Sequence, residues 1–191
     1  MMKRRLDLTP GFPAFLAAVW YFDSCGIFWP FLAAMTVHEL AHAAVLLLLG
    51  GRIESVRLSF AQVELRTGLL SDRTELWSTA AGPGINLLCG WLFRRWMPAF
   101  AAVSLLLALF NLLPVWPLDG GRVLRCALLA RLPITQAEHI SEIVSFAACA
   151  VLLLIGVFLT FFRKSGLWPL GTAAYLTVRL LMLARRTDAV Q

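Results

Sequence analysis

Residues 35–45 read MTVHELAHAAV, and the rest of the chain can be interpreted around this stretch. It contains the pattern H-E-x-x-H, formed by His38, Glu39 and His42. On a helix the two histidines lie on one face, about 6 Å apart along the axis, and can share a divalent ion, usually zinc. Glu39 can then act as general base toward a water on the metal, because Zn²⁺ lowers the pKa of that water toward about 7.

This pattern lies in an apolar setting, which affects its interpretation. The run Pro30–Leu49 surrounds it with Leu, Val, Ala and Phe residues. The alternative is a pair of histidines that hydrogen-bond to carbonyl groups in a buried helix. Two imidazoles and a carboxylate are costly in a membrane helix and generally mark a functional site there. The setting therefore favours the metal site.

The composition predicts an integral membrane protein. Of its 191 residues 60% are hydrophobic and only 15% are charged, which is far from the composition of a soluble domain. Several apolar runs approach the ~20 residues that cross a bilayer. We expect one domain over residues 1–191, with an all-α membrane fold of about six transmembrane helices. The runs are Phe12–Phe28, Pro30–Leu49, Leu76–Phe93, Pro98–Leu118, Ile143–Phe162 and Leu167–Ala184.

Two of these runs contain interruptions. Asp23 and Ser24 interrupt the first, which is either one span with a polar break or a shorter span and a loop. The stretch Gly82–Gly84, with Pro83 at its centre, breaks the third run. Glycine and proline in a membrane helix allow bending and close approach of a neighbouring helix. We therefore expect a close helix contact at this point.

A different pattern follows the second span. Between Arg52 and Leu70 apolar and polar residues alternate, first in one parity and then in the other. Alternation predicts strands, and a turn or bulge near Ala61 explains the change of parity. We expect a small β-hairpin or bent strand here. The segment Val56–Phe60 could bind an extended peptide by β-strand addition.

The positive charges predict the orientation in the membrane. With six spans and the N-terminus inside, the cytoplasmic segments hold 12 Lys and Arg residues and the opposite side holds 4. Positive residues concentrate on the cytoplasmic side, so both termini are expected in the cytoplasm, with the protein in the cell membrane as a multi-pass chain. The net charge of +6 is thus explained by membrane-flanking loops, and no nucleic-acid partner is expected.

A catalytic zinc site usually has three protein ligands and a water, so one ligand remains to be found. Asp119 ends an apolar run among glycines and prolines that let the backbone turn inward. The alternative is a helix-capping or membrane-edge carboxylate. His139 lies in a polar connector and is interpreted as a solvated loop histidine. Asp119 is therefore the better candidate.

Three stretches together resemble the site-2 protease family of intramembrane zinc metalloproteases, peptidase family M50. They are HELAH at 38–42, GPGIN at 82–86, which is similar to G-P-x-x-N, and NLLPVWPLDG at 111–120. The last is similar to N-x-x-P-x-P-x-x-D-G, but two residues separate its prolines. The resemblance covers the chain from about Pro30 to Arg122. It is nearest to the sporulation branch that processes a membrane-associated pro-sigma factor, without that branch's CBS domain and without a PDZ domain.

The resemblance implies the roles of individual residues. His38, His42 and Asp119 would bind Zn²⁺, and Glu39 would be the catalytic base. Asn86 and Asn111 would position the substrate or stabilise the oxyanion, although interhelical hydrogen bonds are an alternative for both. The implied function is zinc-dependent endopeptidase cleavage of a transmembrane or membrane-associated segment near the cytoplasmic face, as in regulated intramembrane proteolysis.

The implied partners are the lipid bilayer and a membrane-embedded protein substrate, for which a membrane-tethered transcription or sigma factor is one candidate. A homo-oligomer is left open. The alternative function is a non-catalytic, protease-like membrane chaperone or adaptor, against which the intact pattern of His38, Glu39, His42 and Asp119 argues. A metal transporter would need more acidic or histidine residues along its spans.

Overall fold

The computed structural model describes residues 6–59, 62–68, 70–163 and 167–188. Within these ranges the chain is mostly helical, with one small sheet, and it forms two compact units, Met1–Phe110 and Asn111–Gln191. The elements of the first unit are β1 (Leu6–Leu8), α1 (Gly11–Tyr21), α2 (Phe28–Leu48), β2 (Ile53–Ser59), β3 (Gln62–Thr67), α3 (Asp72–Leu92) and α4 (Pro98–Asn111). Those of the second unit are α5 (Asp119–Leu129), α6 (Ile134–Phe161) and α7 (Trp168–Asp188).

The predicted strand region forms a three-stranded sheet in the order β1-β2-β3. β2 and β3 pair antiparallel, as expected of a hairpin, with an irregularity between Ile53 and Ser55; the expected turn near Ala61 falls outside the described residues. β1 was not predicted. It pairs in parallel with β2, from Leu6 opposite Val56 to Leu8 opposite Leu58. The proposed edge for β-strand addition at Val56–Phe60 is therefore wrong, because β2 is the central strand.

The first apolar run forms an 11-residue helix followed by a loop, so the alternative of one continuous span with a polar break is wrong. α1 ends at Tyr21, and the carboxylate of Asp23 accepts hydrogen bonds from the backbone N–H groups of Ile27 (2.9 Å), Phe28 (2.7 Å) and Cys25 (3.2 Å). The N–H groups of Ile27 and Phe28 chiefly lower the pKa of Asp23, since they stabilise its charged form. The ionised side chain therefore caps the start of α2 at neutral pH.

α2 ends as the two glycines at its C-terminus predict. Gly50 has a φ of +81°, a conformation that glycine adopts without steric cost. Its N–H donates to the carbonyl of Leu47, and the N–H of Gly51 donates to that of Leu46. These two bonds form a Schellman motif, which satisfies carbonyl groups that the last turn leaves without helical partners.

α2, α3 and α4 pack around a small apolar core. Ala34, Cys89 and Phe100 are buried there, one from each helix, with partly buried apolar neighbours. α3 is continuous from Asp72 to Leu92, so Gly82–Gly84 does not break it. A side chain at Gly90 would overlap the side chain of Leu105 in α4, which shows that small residues on α3 permit close packing.

In the second unit the segment between α4 and α5 folds tightly on itself. A Cβ added at Gly120 would overlap the backbone of Leu112, and one at Gly121 would lie 2.6 Å from the backbone nitrogen of Trp116. The N–H of Trp116 also donates to the hydroxyl of Ser145 in α6 (3.2 Å). This segment fixes the start of α5, which begins at Asp119.

α6 begins earlier than the apolar run suggested. It starts at Ile134 instead of Ile143, so His139 lies on an exposed helical surface and not in a connector. Glu138, one residue before it, accepts a hydrogen bond from Arg125 of α5 (3.0 Å), which ties this polar first part of α6 to α5.

Two helices among the described residues, α2 and α6, are long and apolar enough to cross a bilayer. Only 17% of the apolar window in each is buried inside the protein, whereas a soluble core helix would be mostly buried. Their exposed side chains include Leu48, Leu154 and Phe158. A large exposed apolar surface of this kind needs a nonaqueous neighbour. The remaining four predicted spans stay a prediction.

Candidate metal centre

The imidazoles of His38 and His42 meet on one face of α2, as their spacing predicts. Their Nε2 atoms lie 3.0 Å apart, and the ring planes cross at 87° with their centroids 4.6 Å apart. His38 is 4% exposed and His42 is half-buried. The two nitrogens therefore point at the same place inside the first unit.

The neighbouring helix α3 forms a seat for these two rings. Ser78, Gly82 and Asn86 are spaced by four residues, so they lie on one face of α3. The carbonyl of Ser78 lies 2.7 Å from Nδ1 of His42. Since a carbonyl oxygen only accepts hydrogen bonds, Nδ1 of His42 carries the hydrogen and its Nε2 presents a lone pair.

Gly82 faces both rings at close range. A Cβ added to it would overlap Nε2 of His42 and would lie 2.5 Å from Cε1 of His42 and 2.8 Å from Cε1 of His38. No larger residue fits there unless the imidazoles move. The expected close helix approach is confirmed at Gly82, where the missing side chain leaves room for the two rings.

Asn86 completes the seat one turn further along α3. It is fully buried, and its Nδ2 lies 3.1 Å from Nδ1 of His38. The interhelical hydrogen bond that the sequence left open for Asn86 is therefore present. Its Oδ1 is buried and has no hydrogen-bond partner among the described residues.

The donor set of the two histidines fits a divalent cation. Zinc binds imidazole nitrogens at about 2.0–2.1 Å, and two nitrogens 3.0 Å apart can both reach one such ion. His42 is already held in the tautomer that offers Nε2 as a ligand. Ligating histidines commonly donate their other ring N–H to a carbonyl group in this way.

The other predicted site residues lie as follows. Glu39 is half-buried on α2, directly after His38. Asp119 is half-buried and is the first residue of α5, while Asn111 is half-buried and is the last residue of α4. Their predicted roles remain predictions. Sequence reasoning missed Ser78, although its spacing of four residues from Gly82 could have placed it on the same face of α3.

Several known proteins are similar to this chain in sequence or in fold. Residues 88–155 match the sequence profile of Peptidase family M50. The chain is 31% identical to stage IV sporulation protein FB of Bacillus subtilis, over 68% of this chain and 49% of that protein. It is 36% identical to the putative zinc metalloprotease Rip3 of Mycobacterium tuberculosis, over 52% of this chain and 30% of that protein. The solved structure of the site-2 protease from Methanocaldococcus jannaschii superimposes with a TM-score of 0.69, at 20% identity, over 95% of this chain and 91% of that one.

The fold is that of a site-2 protease, and the apolar helices are those of a membrane protein. The match of residues 88–155 to Peptidase family M50, together with the similar relatives, confirms the resemblance of the chain to that family. The chain spans about half the length, or less, of the curated relatives it matches. The matched segment 88–155 includes Asn111 and Asp119, whereas the HELAH pattern lies before it.

Proposed function

We propose that this protein is a zinc-dependent intramembrane endopeptidase that cuts a transmembrane or membrane-associated segment of another protein near the cytoplasmic face. The observation that carries the proposal is the convergence of the His38 and His42 Nε2 atoms, 3.0 Å apart, beside Glu39 on an apolar helix. A helix with this outer surface lies in lipid, and a metal site within it would act on peptide bonds that lie in the membrane.

His38, His42 and Asp119 would hold the zinc ion. Two imidazoles and a carboxylate are one of the ligand sets of catalytic zinc, and they leave a position open for water. Zinc supplies two things when bound: it lowers the pKa of a water and polarises a carbonyl oxygen. The tight segment between Leu112 and Gly121 would hold Asp119 at a fixed position, as a ligand requires.

Glu39 would move the proton during cleavage. Its carboxylate would take a proton from the attacking water and deliver one to the nitrogen of the departing strand, as a general base and then a general acid. The side-chain amide of Asn111 would donate a hydrogen bond to the carbonyl oxygen that gains charge. Complete burial and its bond to His38 favour the interhelical role for Asn86 over this one.

The substrate must unwind before it can be cut, because a helix shields its own amide groups. Among the described residues β3 has a strand on one side only, while β2 is paired on both sides. The outer edge of β3 is therefore the better place for an unwound segment to add as a strand. With six spans and both termini in the cytoplasm, the single protease domain would present this sheet to the cytoplasmic side. A membrane-tethered transcription or sigma factor fits this arrangement.

Metal-dependent cleavage of a suitable membrane segment is the first expected result. The chain is co-expressed with tagged single-span proteins whose spans contain either Gly, Pro and Asn residues or an unbroken leucine helix. We expect the first kind to be cut and the leucine helix to stay intact, because only the former unwinds. The tagged fragment is measured by immunoblot.

The purified chain in detergent should lose this activity with a zinc chelator and recover it on addition of zinc. Cleavage that continues unchanged after complete metal removal would contradict the proposal. Binding of both spans without any cutting would favour the chaperone or adaptor instead.

Replacing Asp119 with alanine tests the third ligand. We expect zinc content per purified chain to fall well below that of the wild type, since two imidazoles alone bind zinc more weakly than a complete ligand set. The metal is counted by mass spectrometry after dialysis against a weak chelator. Asp72→Ala, at the first turn of α3, is the control for loss of an acid at a helix start. Equal zinc content in Asp119→Ala and wild type would remove Asp119 from the ligand set.

A further inference from the structure

The side chain of Asn86 is buried with one hydrogen-bond partner. It has no exposed surface, and the bond from its amide to Nδ1 of His38 is the one that the described residues provide. Its Oδ1 is buried, and no described residue lies within hydrogen-bonding reach of it. Burying a polar amide that is only partly satisfied costs free energy, and an apolar residue of the same size would avoid that cost. The presence of Asn86 is therefore explained by its effect on His38.

The effect of Asn86 on His38 depends on which ring nitrogen of His38 carries the hydrogen. For Nε2 of His38 to present a lone pair to a metal, the hydrogen of the neutral ring must be on Nδ1, and the neighbour of Nδ1 must then accept a hydrogen bond. The oxygen and nitrogen of a side-chain amide have nearly the same shape, so Asn86 can turn its carbonyl oxygen toward Nδ1 within the same space. An aliphatic side chain offers no acceptor.

We propose that Asn86 is the positioning residue of His38: its amide oxygen accepts the Nδ1 hydrogen and holds Nε2 toward the metal. The inference rests on the proposed zinc site. It gives the two histidines matching partners from α3, the backbone carbonyl of Ser78 for His42 and the side chain of Asn86 for His38. Since a backbone carbonyl cannot be removed by substitution, Asn86 is the half of this arrangement that mutation can test.

Two substitutions with opposite expectations test the role. Asn86→Leu keeps the branching and the number of heavy atoms of the side chain and removes the acceptor, so zinc affinity should fall by about 10–100-fold, the usual effect of removing a partner of a ligating histidine. Asn86→Asp keeps an acceptor, and its zinc affinity should stay within about threefold of the wild type or rise, because a carboxylate is a common partner of such histidines. A purely structural role predicts the reverse order, since leucine suits an apolar interior and a buried carboxylate does not.

The measurement is a zinc titration of the full chain in detergent against a competing chromophoric chelator. The absorption bands of bound Co²⁺ report the coordination in each variant, and circular dichroism checks that each variant is folded. Ser104→Ala is the matched control, because its hydroxyl in α4 is also buried and has no hydrogen-bond partner in the described part of the chain, and its zinc affinity should be unchanged.

Three outcomes would overturn the inference. A wild type that binds neither ion removes the zinc site and, with it, the proposed function. A wild type that binds zinc, together with a folded Asn86→Leu of equal affinity, removes only the positioning role. If the leucine variant does not fold, Asn86→Asp decides: a folded aspartate variant that has lost 100-fold or more in zinc affinity contradicts the role.

Discussion

Glu39→Gln is expected to slow peptide-bond cleavage by roughly a hundredfold to ten-thousandfold, the range that a general acid–base group contributes, while zinc content stays at the wild-type level. Glutamine has nearly the size of glutamate, so the packing of half-buried Glu39 on α2 should be kept. It cannot take a proton from water at neutral pH. Because His38, His42 and Asp119 are the proposed ligands, the metal should remain bound.

The comparison is made with a co-expressed membrane substrate and with metal counted on the purified protein. Glu142→Gln, an exposed position on α6, controls for the loss of a negative charge and should retain both cleavage and zinc. Full activity in Glu39→Gln would rule out the proposed mechanism. The inactive variant also identifies natural substrates, because a membrane protein that accumulates uncut in cells with Glu39→Gln is the candidate.

The part of the site that lies on one helix could be predicted from the sequence. The separation of His38 and His42 by four residues determines that their rings share a face of any α-helix, and the 3.0 Å between their Nε2 atoms confirms it. The apolar residues around the two histidines likewise predicted a membrane helix, because that prediction needs only the local composition. Such predictions depend only on the helical repeat and on residue type, both of which the sequence contains directly.

The partners of these histidines could not be predicted in the same way. The acceptor for His42 is the main-chain carbonyl of Ser78, and every residue has such a carbonyl, so no residue type indicates it. Gly82 suggested both a break in the third run and a close helix contact, and the structure shows the contact in an unbroken helix, with two imidazoles as the neighbours. Which α3 residues face α2 depends on how the helices pack, and one sequence does not specify that.

The short strand β1 and the polar start of α6 are two further features that the sequence pattern did not predict. β1 has three residues, too few for an alternating pattern, and its partner β2 lies far along the chain. Because β1 covers one side of β2 and β3 covers the other, β2 has no free edge among the described residues, and β3 is the proposed substrate edge instead. The first turns of α6 are polar because they lie beside α5, and Glu138 of α6 accepts a hydrogen bond there from Arg125 of α5. The apolar run therefore marks only the later part of α6.

Gly82→Ala is expected to weaken zinc binding by about 10–100-fold and to slow cleavage by about a hundredfold, although it adds only one methyl group. The new Cβ would lie 2.5 Å from Cε1 of His42, and carbon atoms pack at about 3.5–4.0 Å, so the ring must move by about 1 Å. A displacement of that size misplaces a ligand. Zinc affinity and substrate cleavage are measured on the same purified variant.

Gly84→Ala, two residues along the same helix, separates this steric effect from helix propensity. No atom of the described residues lies within 4 Å of a Cβ added at Gly84, so this variant should keep wild-type zinc affinity and gain up to about 1 kcal/mol in stability from the better helix former. In Gly82→Ala the same gain is opposed by about 1–3 kcal/mol of overpacking, which leaves it no more stable than the wild type. Equal zinc affinity in both variants would contradict this prediction. It would mean that the imidazoles can move away from α3 without loss of binding, so contact with α3 would not hold the ligands in place.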